Sequence, residues 1–114
     1  MPVRSLNSSV LKWPRREEVE EALLSWVEKE KRKNPDILRI GVFGSYNAPF
    51  WGVGSDLDVV VVLRRSPYPF WERSRYFDTM SLPVPVDLLV YTEEEFEKLE
   101  GRFAQVMQKE VRWL

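Results

Sequence analysis

The chain contains no histidine and no cysteine, and only five of its eighteen acidic residues are aspartates. Without imidazole it has neither a histidine general base nor histidine ligands, which removes triad hydrolases and zinc enzymes of the usual kind. Without thiols it has no disulfide framework and no thiolate chemistry. No apolar run approaches membrane-spanning length, and the N-terminus lacks the hydrophobic core of a signal peptide, so the expectation is a soluble, cytoplasmic protein with no membrane association. A net charge of −1 and a pI near 5.6 leave no bulk basic field to recruit nucleic acid. No internal repeat or low-complexity tract is visible. At 114 residues and 13.6 kDa, a single domain over 1–114 with one hydrophobic core is expected, residues 1–13 reading as a loosely held N-terminal arm.

Against this sparse background one stretch stands out, GSYNAPFWGVGSDLDVVVVL, beginning at Gly44-Ser45. Glycine and serine end an apolar strand, ten residues intervene, and Asp56-Leu57-Asp58 opens the next strand. Side chains two apart on a strand share a face, so Asp56 and Asp58 project together while Leu57 points away. Paired carboxylates repel unless a cation lies between them or one takes a proton. An all-oxygen pair suits a hard ion such as Mg²⁺, which is commonly held by one or two carboxylates plus substrate phosphates. Glycine allows close approach of a backbone to phosphate, and serine offers its hydroxyl and N–H to an anion. Read physically, Gly44, Ser45, Asp56 and Asp58 form a metal–triphosphate site. The plainer alternative makes Ser55-Asp56 a polar turn and Asp58 a solvated strand start. It leaves unexplained why aspartate, rare here, is placed at the edges of Val/Leu-rich strands.

Around this stretch the chain reads as alternating helices and strands. Pro14 suits a first helical turn, and Val19, Ala22, Leu23, Trp26 and Val27 mark one buried helix face. Glutamates at the helix start and basic residues at its end complement the macrodipole, and Asn34-Pro35 stops it. Ile37 to Phe43 forms the first strand; Asp56 to Leu63 forms the second, apolar at every position from Val59 onward and therefore covered on both faces. Phe50 and Trp51 in the intervening loop suit either stacking on a base or partner, or packing over the core. Trp71 to Leu82 reads as a helix with Arg73, Arg75 and Asp78 as surface charges. Val84 to Tyr91 is the third strand, with Val86, Leu88 and Val90 on one face and Asp87 on the other. Asp87 needs a partner, either the metal site or a nearby arginine. Thr92-Glu93-Glu94-Glu95 is a capping box opening a helix with Phe96 and Leu99 inward. Gly101 breaks it, and Phe103, Val106 and Met107 suggest a last helical segment before an apolar tail.

The pattern of Gly-Ser, ten residues, Asp-x-Asp and a later lone strand aspartate resembles the polymerase-β-like nucleotidyltransferase superfamily. At this length it resembles the minimal nucleotidyltransferases (MNT) often encoded beside a HEPN-domain partner. The likeness runs from the helix before Ile37 to Trp113-Leu114, with the motif on Gly44, Ser45, Asp56, Asp58 and Asp87. It implies an α/β fold, a small mixed β-sheet packed against helices with the catalytic edge to one side. It also implies a Mg²⁺-dependent enzyme using two ions, ATP as donor, Asp56, Asp58 and Asp87 as metal ligands and catalytic residues, and Gly44 and Ser45 on the nucleotide. The expected reaction moves AMP onto a hydroxyl and releases pyrophosphate, and the implied role is an antitoxin that AMPylates a HEPN-type toxin, the partner being that protein or a second copy of the chain. Two other readings are a non-catalytic antitoxin that acts by binding, and a nucleotidyltransferase for an aminoglycoside-like small molecule. RNA tailing fits least, for want of a basic surface. Many minimal relatives follow Gly-Ser with a small residue, arginine and glycine. Here Asn47, Ala48 and Pro49 stand instead, which leaves the aspartates intact and alters the triphosphate-binding loop.

Overall fold

The computed structural model describes residues 14–44 and 56–114. The expected N-terminal arm (1–13) and the loop carrying Ser45, Asn47-Ala48-Pro49, Phe50, Trp51 and Ser55 lie outside the described residues, as do the side chains of Phe103 and Val106. Helix α1 spans Arg16–Lys33 and buries Val19, Leu23, Trp26 and Val27, with Ala22 partly buried beside them, as the stripe of apolar positions requires. Pro14 falls just before the N-cap, Arg15, rather than inside the first turn. Asn34 ends the helix in an extended conformation, and its side-chain oxygen accepts from the Asp36 N–H at 3.0 Å.

Strand β1 (Ile37–Phe43) runs antiparallel to β2 (Leu57–Leu63), and β2 runs parallel to β3 (Val86–Thr92). A two-residue strand, β4 (Arg112–Trp113), pairs antiparallel with β1 and completes a mixed sheet of order β3-β2-β1-β4. The fold is thus α/β with a mixed sheet, as expected. The apolar tail is a strand, and β3 begins two residues later than the sequence suggests, after Pro85. Pro85 has no N–H for a ladder, but its carbonyl accepts from the Leu57 N–H at 2.9 Å and so aligns the starts of β2 and β3.

The two faces of the sheet differ. Ile40 and Val42 of β1, Leu57, Val59 and Val61 of β2, and Val86, Leu88 and Val90 of β3 pack against α1 in the main core. Each such side chain stabilises the fold by roughly 1.5–3 kcal/mol when fully buried. Between Ile37 and Arg39 the β1–β2 register slips by one residue, Ile37 pairing with Leu63 and Arg39 with Val62. That bulge sends Ile37 into the core and Arg39 to the opposite face. On the opposite face Gly41 pairs with Val60, and a Cβ at Gly41 would lie 2.7 Å from Val111 Cγ2 and 2.8 Å from Trp113. Glycine is required there because the C-terminal segment packs directly on the β1 backbone. Helix α4 (Gly101–Glu110) delivers that segment and contributes the fully buried Met107.

The expected helix over residues 71–82 is instead a single turn, α2 (Phe70–Arg73), followed by a 3₁₀ turn over Ser74–Tyr76 and irregular chain. Arg75 and Asp78 are exposed as expected, but Arg73 is buried, 6% exposed. Its guanidinium donates to both carboxylate oxygens of Glu95, to the Tyr68 carbonyl at 2.8 Å and to the Val90 carbonyl of edge strand β3 at 3.2 Å. Glu95 also closes the capping box of α3 (Glu93–Glu97): its carboxylate accepts from the Thr92 N–H at 2.9 Å while Thr92 Oγ1 accepts from the Glu95 N–H. One carboxylate therefore ties a buried arginine to a helix start. The Arg73 hydrogen bond, foremost, holds the Glu95 carboxyl below its ordinary pKa. Removing Arg73 also strips two carbonyls of a donor, so Arg73→Ala is expected to cost about 2–4 kcal/mol in urea unfolding at pH 7, the partial exposure of Glu95 keeping this below the cost of breaking a fully buried pair. Because Glu95 is depressed, its contribution is present above the ordinary glutamate range and is lost as pH falls through the lowered value. The gap between the two proteins should accordingly narrow below about pH 4. A gap independent of pH would contradict the ion pair.

Candidate functional site

The site is built where three strands meet at one end of the sheet. Asp58, second residue of β2, sits opposite Phe43 at the end of β1 on one side and opposite Asp87, second residue of β3, on the other. Paired positions on neighbouring strands are about 4.8 Å apart and point to the same face, so Asp58 and Asp87 stand side by side. That face is the one away from α1, because Leu57 and Val59 on either side of Asp58 are in the main core. Asp56, just before β2, is exposed, as is Asp87, while Asp58 is half-buried.

Asp58 feels both of its neighbours. Burial, first, and then the charges of Asp87 and Asp56 push the Asp58 carboxyl above the ordinary aspartate range. Like charges do not draw together unaided, and among the described residues no group of three or more acidic side chains converges to metal-binding distance. The carboxylates are nonetheless oxygen donors brought to one mouth of the sheet, a donor set suited to a hard cation.

Gly44 follows β1 with φ +73°, the left-handed region that favours glycine. A Cβ at Gly44 would lie 2.6 Å from Asp58 Oδ2. Sequence reasoning assigned Gly44 to close phosphate approach; the structure adds that the Asp58 carboxylate already fills the space a side chain would need. Gly44, Asp58 and Asp87 are thus brought together, with Asp56 in electrostatic reach, and Ser45 lies outside the described residues. Arg73 is committed away from the site, to Glu95 and two carbonyls.

A raised carboxylate pKa means that the folded state binds the proton more readily than the unfolded chain, so Asp58 lowers stability at neutral pH and ceases to do so as pH falls through its folded value. In the absence of divalent cations, Asp58→Asn is expected to raise Tm at pH 7 by roughly 2–4 °C, discounted for its partial exposure. The difference from the native protein should shrink on acidification. Scanning calorimetry at pH 7 and pH 4 checks this; a variant less stable than the native protein at pH 7 would contradict the repulsion.

Comparison with known proteins points in the same direction. A family model described as a nucleotidyltransferase domain matches residues 23–114, from the middle of α1 to the end of the chain. No curated protein sequence matches the chain. Among solved structures it is similar to a candidate nucleotidyltransferase from Sulfolobus solfataricus, with a TM-score of 0.63 at 17% identity, over 86% of this chain and 80% of that one. At that identity the likeness concerns the fold. No helix among the described residues is long and apolar enough to cross a membrane.

Proposed function

Since the chain belongs to the nucleotidyltransferase domain family, we propose that its aspartates serve nucleotidyl transfer, moving AMP from ATP onto a hydroxyl of a partner protein. The observation that carries this reading is the side-by-side pairing of Asp58 and Asp87 across parallel strands, with Gly44 leaving the room that the Asp58 carboxylate occupies. A scaffold gains nothing from neighbouring like charges on a sheet, whereas a site for a cation and phosphates needs them.

Asp56, Asp58 and Asp87 are the residues that would hold Mg²⁺. Bound there, the ion would offset phosphate charge and make the acceptor hydroxyl easier to deprotonate. The chain's own residues do the rest. The Gly44 backbone, with Ser45 beyond it, would orient the β- and γ-phosphates, leaving the α-phosphorus open to attack. The acceptor oxygen forms a bond to that phosphorus, the bond to the bridging oxygen of the β-phosphate breaks, and pyrophosphate leaves with its electron pair. Asp87, at the exposed edge of the pair, would accept the hydroxyl proton.

The acceptor assignment rests on the resemblance to minimal nucleotidyltransferases: a HEPN-type toxin, modified on a hydroxyl side chain and thereby neutralised. Incubating the native protein, ATP and Mg²⁺ with such a partner, purified separately, should add one or more AMP units to the partner's intact mass. Asp58→Asn should slow this by roughly 10²–10³-fold, the scale typical of losing one preorganised electrostatic group. An unmodified partner in a stable complex would replace transfer with neutralisation by binding. Undiminished turnover in the variant would remove Asp58 from the chemistry.

A further inference from the structure

Beyond the carboxylates, the same face of the sheet carries a cavity of about 360 Å³ lined by Arg39, Phe96, Glu97, Met107, Val111 and Trp113. Arg39 lies four residues before Phe43 on β1, about 13 Å along the strand from the position opposite Asp58. A volume of this size falls within the range of small-molecule sites, roughly 300–1,000 Å³.

Among the described lining residues the cation is Arg39, held in a defined pose. The Arg39 guanidinium carbon lies 4.3 Å from the centroid of the Trp113 ring and 5.2 Å from that of Phe96. The two rings themselves meet edge to face at 5.7 Å. Aromatic contact engages the faces of a guanidinium and leaves its N–H donors at the edge. Arg39 is exposed, and among the described residues no carboxylate pairs with it, although Glu97 lines the same cavity. Both rings are anchored from behind. Trp113 is paired through β4 to Gly41, whose missing Cβ permits the contact, and Phe96 sits on the helix fixed by the Thr92–Glu95 capping box.

We propose that this cavity is a binding site for a compact oxyanion, a carboxylate or a phosphate monoester, held by the edge of the Arg39 guanidinium between Phe96 and Trp113. A planar fork whose faces are fixed offers two parallel N–H donors, the geometry that such groups accept in bidentate fashion. Glu97 on the same lining limits the charge that fits: an extended polyanion would set further negative groups against it, whereas a single oxyanion need not. The site stands apart from nucleotide binding and requires no divalent cation.

The test titrates the full chain with acetate and, separately, with inorganic phosphate, at constant ionic strength and without divalent cations. Binding is followed by NMR through the Arg39 Nε–H and the Trp113 indole N–H. Saturable shifts at both reporters are expected with at least one anion, and the tighter of the two identifies the chemical source. Arg39→Gln should weaken binding at least tenfold, with the indole N–H as reporter, and Arg39→Lys, which keeps the charge and loses the fork, by several-fold. Asp58→Asn should leave the affinity unchanged. No saturation with either anion would overturn the proposal, as would native affinity in Arg39→Gln or Arg39→Lys, or loss of binding in Asp58→Asn.

Discussion

Two carboxylates set in register on parallel strands, Asp58 beside Asp87, are the constraint on which the rest of this structure depends. They repel, and Asp58 does so partly removed from water, so the fold must hold them together by other means. Those means lie directly beneath. Leu57, Val59 and Val61 are fully buried against α1, and the Leu57 N–H bonds to the Pro85 carbonyl, locking β2 to β3 at the level of the acids. A slip of one residue would send Asp58 into the core and Leu57 into solvent. The register is therefore fixed by hydrophobic burial, and the placement of charge follows from it.

The same logic explains the glycines that matter. Gly44 turns the chain with positive φ at the point where the Asp58 carboxylate already occupies the side-chain space, and Gly41 lets Trp113 and Val111 lie on the sheet backbone. One opens the mouth of the carboxylate site and the other closes the far end of the same face. Arg112 carries the closure round the sheet edge, its guanidinium meeting Glu20 of α1 at 2.8 and 3.2 Å. The C-terminal segment thus belongs to the framework on both sides, although it contributes only two residues of strand.

Most of the carboxylate site was legible in the sequence because it is local. Asp56-Leu57-Asp58 declares its shared face through strand alternation, and Asp87 betrays itself as a charge within a run of valine and leucine. The helix stripe of α1, the strand cores and the Thr92 capping box are also local patterns, and they appear where expected. What escaped depends on distant partners. Arg73 reads as surface charge by its neighbours, yet Glu95, twenty-two residues away, and the Val90 carbonyl draw it inside. β4 escaped because two residues carry no periodicity. Arg39 escaped because the rings that hold it, Phe96 and Trp113, come from segments far along the chain.

The central claim is that Gly44, Asp58 and Asp87 form one cation-and-phosphate centre. Its most direct test is paramagnetic broadening of backbone amide resonances by substoichiometric Mn²⁺ in the presence of a non-hydrolysable ATP analogue. The account predicts that the amides of Gly44, Asp58 and Asp87 broaden first and together, while those of Ile37 and Thr92, at the opposite end of the sheet, persist. Broadening centred away from these strand ends, or spread evenly over the acidic surface, would contradict it.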